Sequence, residues 1–147
     1  MVLLFSAALS CFLSLTATFF ALHLTSNVHI AGRFIQLSLS KNPGIAFSLL
    51  LPSPWQELCI VFALLIVCLV AINTRQTRSL QIAFGLIIGG AVANLIDRAV
   101  TGAVTDFIAV GSFPVFNLAD GAITIGACVL LLEAWTKKKD RQTDARV

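Results

Sequence analysis

The chain has 147 residues, which leaves room for one domain. Its mean hydropathy of +0.94 and charged fraction of 12% exclude an ordinary soluble domain, in which about a quarter of the residues are charged. Most of the net charge of +3 comes from the last eleven residues, a distribution that is typical of a topology signal and argues against a nucleic-acid partner.

Four apolar stretches predict four transmembrane helices, because each is near the ~20 residues that cross a bilayer core of ~30 Å. The predicted spans cover about residues 2–22, 57–72, 80–96 and 117–135. The expected fold is an all-α membrane protein, a single polytopic domain over residues 1–147. A Gly-xxx-Gly spacing in the third span, at Gly85 and Gly89, predicts close packing of that helix against a neighbour.

The basic residues predict the orientation of these spans. Two arginines lie in the loop 73–79, and five basic residues lie in the tail 136–147. The positive-inside rule places this loop and this tail on the cytoplasmic side, together with both chain termini. The segments 23–56 and 97–116 then face the opposite, outer side of the membrane.

The longer outer segment contains a predicted β-element. Residues 33–40 alternate in part between apolar and polar side chains, a pattern typical of a strand at an interface. The sequence 42–44, Asn-Pro-Gly, predicts a turn, and residues 49–54 are expected to lead back into the membrane. Residues 98–116 contain two glycines and a proline, and they are predicted to form a mobile connection between the third and fourth spans.

Three acidic residues, Asp97, Asp106 and Asp120, are predicted at the outer ends of the third and fourth spans. A carboxylate within a bilayer costs roughly 2.5–3.5 kcal/mol on insertion scales and usually serves a function. Asp97 is followed by Arg98, and this pair predicts a charge-neutralised helix end. Asp106 and Asp120 lack an adjacent cation. Asp120 also fits an acid at a helix start, after an N-cap at Asn117, and Asp106 also fits a loop acid.

Taken together, Asp106 and Asp120 predict a catalytic pair, since a loop of this length can double back and bring them together. Two carboxylates within ~3 Å cannot both ionise and therefore share one proton. The ionised member can take a proton from water, while the protonated member donates to a substrate carbonyl. Such a pair hydrolyses an amide without a metal ion or cofactor.

Other chemistries have less support in the sequence. The four cysteines lie in apolar runs without the spacing of a metal site, and they are predicted to pack as small hydrophobes. His23 and His29 belong to no serine-hydrolase signature and are predicted to be interfacial. A small proton-coupled transporter or channel subunit is an alternative, with the acids as proton relays. It requires a continuous polar path, and the first span carries no charge.

Three blocks of sequence resemble those of a known family. They are Asn42-Pro-Gly-Ile-Ala-Phe47, the stretch Gly89–Ile108 with Asn94-Leu-Ile-Asp97-Arg98 and Gly102-Ala-Val-Thr-Asp106, and Phe116-Asn-Leu-Ala-Asp120. In order and spacing they are similar to the lipoprotein signal peptidases, the type II signal peptidases of bacteria. The resemblance covers most of the chain from about Lys41 to Ile125, and the blocks are specific only when taken together.

This resemblance implies an aspartic endopeptidase of the bacterial inner membrane that cuts prolipoproteins before the diacylglyceryl-modified cysteine. It implies that Asp106 and Asp120 are catalytic, near the outer face, and that an outer β-cradle and a mobile loop clamp the substrate. The implied partners are lipid-modified prolipoproteins and membrane lipids, and the protein is expected to be a monomer without cofactor. The implied supporting and substrate-binding residues are Asn42, Gly44, Asn94, Asp97, Arg98, Asn117 and Ala119.

The first span departs from the family pattern. Family members usually carry an Asp-x-x-x-Lys sequence at its end, whereas the corresponding stretch here is Ser14-Leu-Thr-Ala-Thr18. Ala93 stands where a glycine is common, and the loop 108–116 is short. A non-catalytic homologue that binds lipoprotein precursors is therefore a further alternative.

Overall fold

The computed structural model describes residues 1–32, 34–44, 55–74 and 77–144. This part of the chain forms four α-helices and one three-stranded β-sheet. The helices are α1 (Val2–Leu22), α2 (Trp55–Asn73), α3 (Arg78–Thr101) and α4 (Leu118–Asp144), and the strands are β1 (Val28–Ala31), β2 (Ile35–Asn42) and β3 (Val104–Val110).

All four helices are long and apolar enough to cross a membrane. Their outward faces carry large apolar side chains, such as Phe12 on α1, Phe62 on α2 and Leu131 on α4. Apolar surface of this extent is stable only in lipid, because water would have to solvate it. The predicted all-α membrane fold with a small extramembrane β-element is therefore confirmed.

Helices α3 and α4 extend furthest beyond the predicted spans. Helix α3 runs from Arg78 to Thr101 because Thr77 caps its start, accepting from Leu80 N at 3.2 Å, and Gly102 ends it at a φ of +80°. Helix α4 continues to Asp144, since its polar end contains good helix formers and no glycine or proline. The predicted re-entry segment 49–54 lies outside the described residues.

The centre of the bundle is α3, which packs closely against α1. A Cβ atom on Gly85 would lie 1.9 Å from Ser6 Oγ, and one on Gly89 would lie 2.3 Å from the carbonyl oxygen of Ala7. The two helices approach so closely that only glycine fits at these two positions of α3. The predicted role of the Gly-xxx-Gly spacing in helix packing is confirmed.

The sheet is antiparallel, with strand order β1-β2-β3. The predicted strand is confirmed by β2, but the prediction of a mobile connection is wrong for residues 104–110. These residues form β3, which is rich in β-branched residues and pairs with β2 in a register that sets Asn42 opposite Val104 and Ser40 opposite Asp106. Because the partner strand is distant in sequence, local sequence did not reveal this pairing.

Candidate active site

Two elements carry the acidic residues that were predicted to act together. Asp106 lies in β3 and is 3% exposed, and Asp120 lies in the first turn of α4 and is partly buried. Strand β3 runs antiparallel to β2, and the chain then returns through Phe116, whose backbone bonds to Ile108, before α4 begins. This return brings the start of α4 beside the acid-bearing part of β3.

A single side chain links the two acidic residues. The Nδ2 atom of Asn117 donates to Asp106 Oδ1 at 2.9 Å, while its Oδ1 atom accepts from Asp120 N, also at 2.9 Å. In return, Asp120 Oδ2 accepts from Asn117 N at 3.3 Å. This reciprocal pattern is that of a capping box. The predicted N-cap at Asn117 is confirmed, and the same residue contacts the other carboxylate.

Two further amides complete the network around the carboxylates. Asn94, from α3, donates through Nδ2 to Asp120 Oδ1 at 2.9 Å and accepts from Asn117 Nδ2 at 3.1 Å. Asn42, at the end of β2, donates through Nδ2 to Asp106 Oδ2 at 3.0 Å. Each carboxylate therefore has a fixed orientation, and three asparagines from three parts of the chain hold the site together.

Burial raises the pKa of Asp106 to about 6, against an ordinary value of 3.8. The hydrogen bonds from Asn42 and Asn117 oppose this rise in pKa. The negative charges of Asp120 and Asp97 add to it. The two candidate carboxylates thus interact electrostatically, and Asp106 keeps its proton to a higher pH than an exposed aspartate does.

The predicted neutralisation of Asp97 by Arg98 is wrong. The ion pair within 4.0 Å in the described part of the chain joins Lys137 and Glu133 instead. Adjacent residues on a helix do not face each other, so Asp97 and Arg98 point to different neighbours. The Arg98 guanidinium donates through Nη2 to the carbonyl oxygen of Gly44.

Asp97 is instead a buried acceptor between α3 and β3. Its Oδ2 atom accepts from Thr105 N at 2.5 Å, and its Oδ1 atom accepts from the Thr105 hydroxyl at 3.1 Å. The Thr101 hydroxyl lies 3.3 Å from Oδ1 and donates its one hydrogen to the carbonyl oxygen of Ala103 at 2.7 Å. Asp97 therefore fixes the backbone one residue before Asp106. It lies beside the carboxylate pair and makes none of the amide contacts that join the pair.

The turn after β2 is held from two sides. Gly44 N donates to Asn42 Oδ1 at 3.0 Å, an Asx-type turn that orients the Asn42 amide group toward Asp106. From α2, Gln56 donates through Nε2 to the carbonyl oxygen of Pro43 at 2.7 Å. Gln56 is 4% exposed and was missed by the sequence analysis, because a glutamine at a helix start carries no distinctive signal.

Ala119, on α4, packs against Gly90 of α3. It is 3% exposed, and its carbonyl oxygen would lie 2.7 Å from a Cβ atom on Gly90. The glycine at position 90 lets α4 approach α3 closely enough for Asn94 to reach Asp120. Of the predicted site residues, Asn42, Asn94 and Asn117 contact the carboxylate pair, whereas Gly44, Asp97, Arg98 and Ala119 support the backbone around it.

Three residues near Asp97 form a polar group that the sequence analysis also missed. Lys41 donates through Nζ to the hydroxyl oxygen of Thr101 at 2.9 Å and to that of Thr105 at 2.8 Å. The lysine is 60 or more residues away from both threonines in sequence. Lys41 lies near the threonines because β2 pairs with β3, where Lys41 is the register partner of Thr105. Local sequence does not show this pairing.

The fold and the site define a class of protein: a multi-pass membrane protein with a pair of interacting carboxylates near one end of its helices. A family model described as signal peptidase (SPase) II matches residues 7–136, which include every site residue discussed above. The chain belongs to the signal peptidase II family, and it is a membrane peptidase.

Curated relatives agree with this assignment. The chain is 36% identical to the lipoprotein signal peptidase of Chlorobium luteolum, over 90% of this chain and 87% of that protein. It is 34% identical to the lipoprotein signal peptidase of Haemophilus influenzae, over 92% of each chain. Neither the transporter nor the non-catalytic alternative is favoured by these matches.

The fold has counterparts among solved structures. A bacterial membrane enzyme solved by the in meso method at 2.3 Å superposes with a TM-score of 0.86 and 23% identity, covering 94% of this chain and 90% of that one. A second, solved by the same method at 1.9 Å, has a TM-score of 0.80 and 24% identity. These likenesses extend over at least 90% of this chain.

Proposed function

We propose that Asp106 and Asp120 are the catalytic pair with which this signal peptidase II removes signal peptides from prolipoproteins. The observation that carries the proposal is the contact of one side chain, that of Asn117, with both residues. A structural carboxylate would need one good partner, whereas here Asn117 donates to both of two carboxylates that repel each other, through Nδ2 to Asp106 and through its backbone N to Asp120.

The roles within the pair follow from their surroundings. Asp106, whose pKa is raised to about 6, is the member that carries the shared proton and donates it to the oxygen of the scissile carbonyl. Asp120 is the ionised member and takes a proton from the attacking water. It is also the less buried of the two, which gives water access to it.

The reaction balances with these two groups alone. The water oxygen forms a bond to the carbonyl carbon as its proton passes to Asp120, and the Asp106 proton moves to the carbonyl oxygen. In the second step the C–N bond breaks, the leaving nitrogen takes the proton from Asp120, and Asp106 recovers its proton from a hydroxyl of the tetrahedral intermediate. No metal ion or cofactor has a part in this scheme.

The proposed cleavage point is the peptide bond before the diacylglyceryl-modified cysteine. The apolar outer surfaces of the helices support this substrate, because its signal helix and acyl chains can remain in lipid while the peptide bond reaches the carboxylates. Asn42, Asn94 and Asn117 then orient the pair. Their amide groups leave the unshared faces of the carboxylates for substrate and water.

We further propose an inner-membrane protein with both termini in the cytoplasm and the carboxylate pair near the outer face. The basic side chains at the end of α4, including Lys137, Lys138 and Lys139, support this orientation through the positive-inside rule. We propose that it acts as a monomer and as one domain, because one chain supplies every group that the scheme uses. Fluorescence of a green fluorescent protein fused to the C-terminus tests the orientation, since it requires a cytoplasmic location.

The catalytic proposal is tested with Asp106→Asn and Asp120→Asn, which keep the size of each side chain. Purified variants are incubated in detergent with a diacylglyceryl-modified prolipoprotein, and the product is resolved by gel electrophoresis. Each variant is expected to lose at least about 1000-fold in rate, because each acid takes part in proton transfer in both steps. Glu133→Gln, at the other end of the bundle, is the matched control and should cleave normally. Full cleavage by either aspartate variant would overturn the proposal.

A further inference from the structure

Asp97 is a buried carboxylate, 5% exposed, that has hydroxyl and amide donors as partners. Within the described ranges, no lysine or arginine lies within 4.0 Å of it. A buried carboxylate is costly unless a cation or several hydrogen bonds compensate its charge. The Thr105 hydroxyl, which donates to Asp97, also accepts a hydrogen bond from Lys41, so the cation that compensates Asp97 lies on the far side of this hydroxyl.

Threonine hydroxyls can link a cation to an anion, because an oxygen that accepts one hydrogen bond can donate another. Lys41 Nζ donates to Thr105 Oγ1 at 2.8 Å, and Thr105 Oγ1 lies 3.1 Å from Asp97 Oδ1. Lys41 Nζ also donates to Thr101 Oγ1 at 2.9 Å, and the Thr101 hydroxyl donates to the carbonyl oxygen of Ala103 at 2.7 Å, so Thr101 holds Lys41 at the end of α3. Chains of this kind strengthen each bond within them.

The bridge lies next to the catalytic contacts in the sheet. Lys41 and Thr105 are register partners in β2 and β3, and the residues that follow them, Asn42 and Asp106, hydrogen-bond to each other. Joining Lys41 and Thr105 to Asp97 fixes both strands against α3 at this point. A small displacement of either strand would change the distance between Asn42 and Asp106.

We propose that Lys41 is a positioning residue for the peptidase reaction. Its ammonium group, acting through Thr105, balances the charge of Asp97 and holds the strands so that Asn42 meets Asp106. This inference rests on the proposed catalytic role of Asp106. Lys41 makes no contact with the carboxylate pair and acts on Asp106 through the pairing of β2 with β3.

The charge of Lys41 should also affect the pH dependence of the reaction. Among the described residues, the charged side chains on the elements packed around Asp106 are Asp120 on α4, Asp97 and Arg98 on α3, and Lys41 on β2, and both acids raise the pKa of Asp106. Without Lys41 the charge of Asp97 is less balanced, so Asp106 holds its proton to higher pH. Because the reaction requires that proton, the alkaline limb of the pH–rate profile should move upward.

Lys41→Met and Lys41→Arg separate charge from length, and Lys137→Met, at the far end of α4, is the matched control. Full-length proteins are assayed in detergent with a diacylglyceryl-modified prolipoprotein across the pH range. We expect Lys41→Met to lower kcat at its own pH optimum by roughly five- to tenfold, and to move the alkaline limb upward by roughly 0.3–0.5 pH unit. KM should change little. Lys41→Arg should recover most of kcat and bring the alkaline limb back to its wild-type position. Lys137→Met should match the wild type in both.

An unchanged kcat and alkaline limb in Lys41→Met would overturn the inference, as would an arginine variant as impaired as the methionine variant. If Lys41→Met does not fold, Thr105→Val and Thr105→Ser provide the same test, because only serine keeps the bridging hydroxyl. Valine is expected to reproduce the Lys41→Met profile, and equal activity of the two threonine variants would contradict the bridge. If Asp106→Asn still cleaves, the catalytic proposal itself fails; if it is inactive while Lys41→Met is normal, only this inference fails.

Discussion

Asn117 lies 2.9 Å from Asp106, with its side-chain nitrogen donating to a carboxylate oxygen eleven residues away in sequence. The other end of the same side chain caps α4 by accepting from Asp120 N. One residue therefore stabilises the start of a membrane helix and orients the site. These two roles can be separated by substitution, because a cap needs only an oxygen whereas the contact with Asp106 needs a donor.

Substitution of Asn117 should distinguish the cap from the site. Asn117→Ala removes both functions and should lower the free energy of unfolding by about 1 kcal/mol and the cleavage rate by about 100-fold. Asn117→Ser keeps a good N-cap residue but loses the carboxamide, so it should retain most of the stability and little of the activity. Thermal unfolding and prolipoprotein cleavage measure the two effects. A fully active Asn117→Ser would contradict this division of roles.

Asn42 should affect the proton affinity of Asp106. Its hydrogen bond favours the ionised carboxylate and lowers the pKa that burial raises. Asn42→Ala should therefore raise the pKa of Asp106 and move the alkaline limb of the pH–rate profile upward, with a lower maximal rate because the carboxylate loses its orientation. Asn73→Ala removes an amide that bonds to the carbonyl oxygen of Leu69, far from the site, and should leave the profile unchanged. A downward shift in Asn42→Ala would contradict the assignment.

Acidification should stabilise the folded protein through Asp106. Its pKa is about 6 in the folded state and near 3.8 when exposed, so the folded state binds the proton more tightly. Stability contributed by protonation is therefore gained as the pH falls through 6, and it is complete below 3.8. We expect the unfolding temperature in detergent to rise between pH 7.5 and 5, and to rise less in Asp106→Asn. Equal rises in wild type and variant would show that other groups are responsible.

Two glycine substitutions should have opposite effects on stability. In Gly89→Ala the new Cβ would lie 2.3 Å from the Ala7 carbonyl oxygen, and the overpacking between α1 and α3 should cost about 1–3 kcal/mol. In Gly121→Ala nothing lies within 4 Å of the new atom, and the higher helix propensity of alanine should stabilise α4 by up to about 1 kcal/mol. Unfolding temperatures in one detergent compare the two. A Gly89→Ala protein as stable as the wild type would contradict the close packing.

Local sequence patterns were sufficient for the features that depend on composition or on neighbouring residues. Long apolar runs predicted the four helices, because a bilayer requires each span to satisfy its own backbone hydrogen bonds. The cap at Asn117 was also predictable, since it joins residues three positions apart. The position of Asp106 and Asp120 without an adjacent cation identified them as candidates, and the family blocks agreed, but neither carried information on how the two are held.

Tertiary structure decided the contacts between distant residues. Strand β3 was missed because its partner, β2, lies about 64 residues away, and pairing over that distance leaves no local periodic signal. The same pairing places Lys41 beside Thr105. The sequence neighbours Asp97 and Arg98 suggested an ion pair, but a helix directs adjacent side chains apart, so each binds a different strand or turn.

The sequence by itself therefore determined that this chain spans a membrane four times and carries carboxylates near one end of its spans. The folded structure decided which of its amides and hydroxyls contact those carboxylates. The physical reason is that membrane insertion depends on the summed hydrophobicity of a continuous segment. A hydrogen bond of 2.9 Å, such as that from Asn94 to Asp120, depends instead on how closely two separate helices pack.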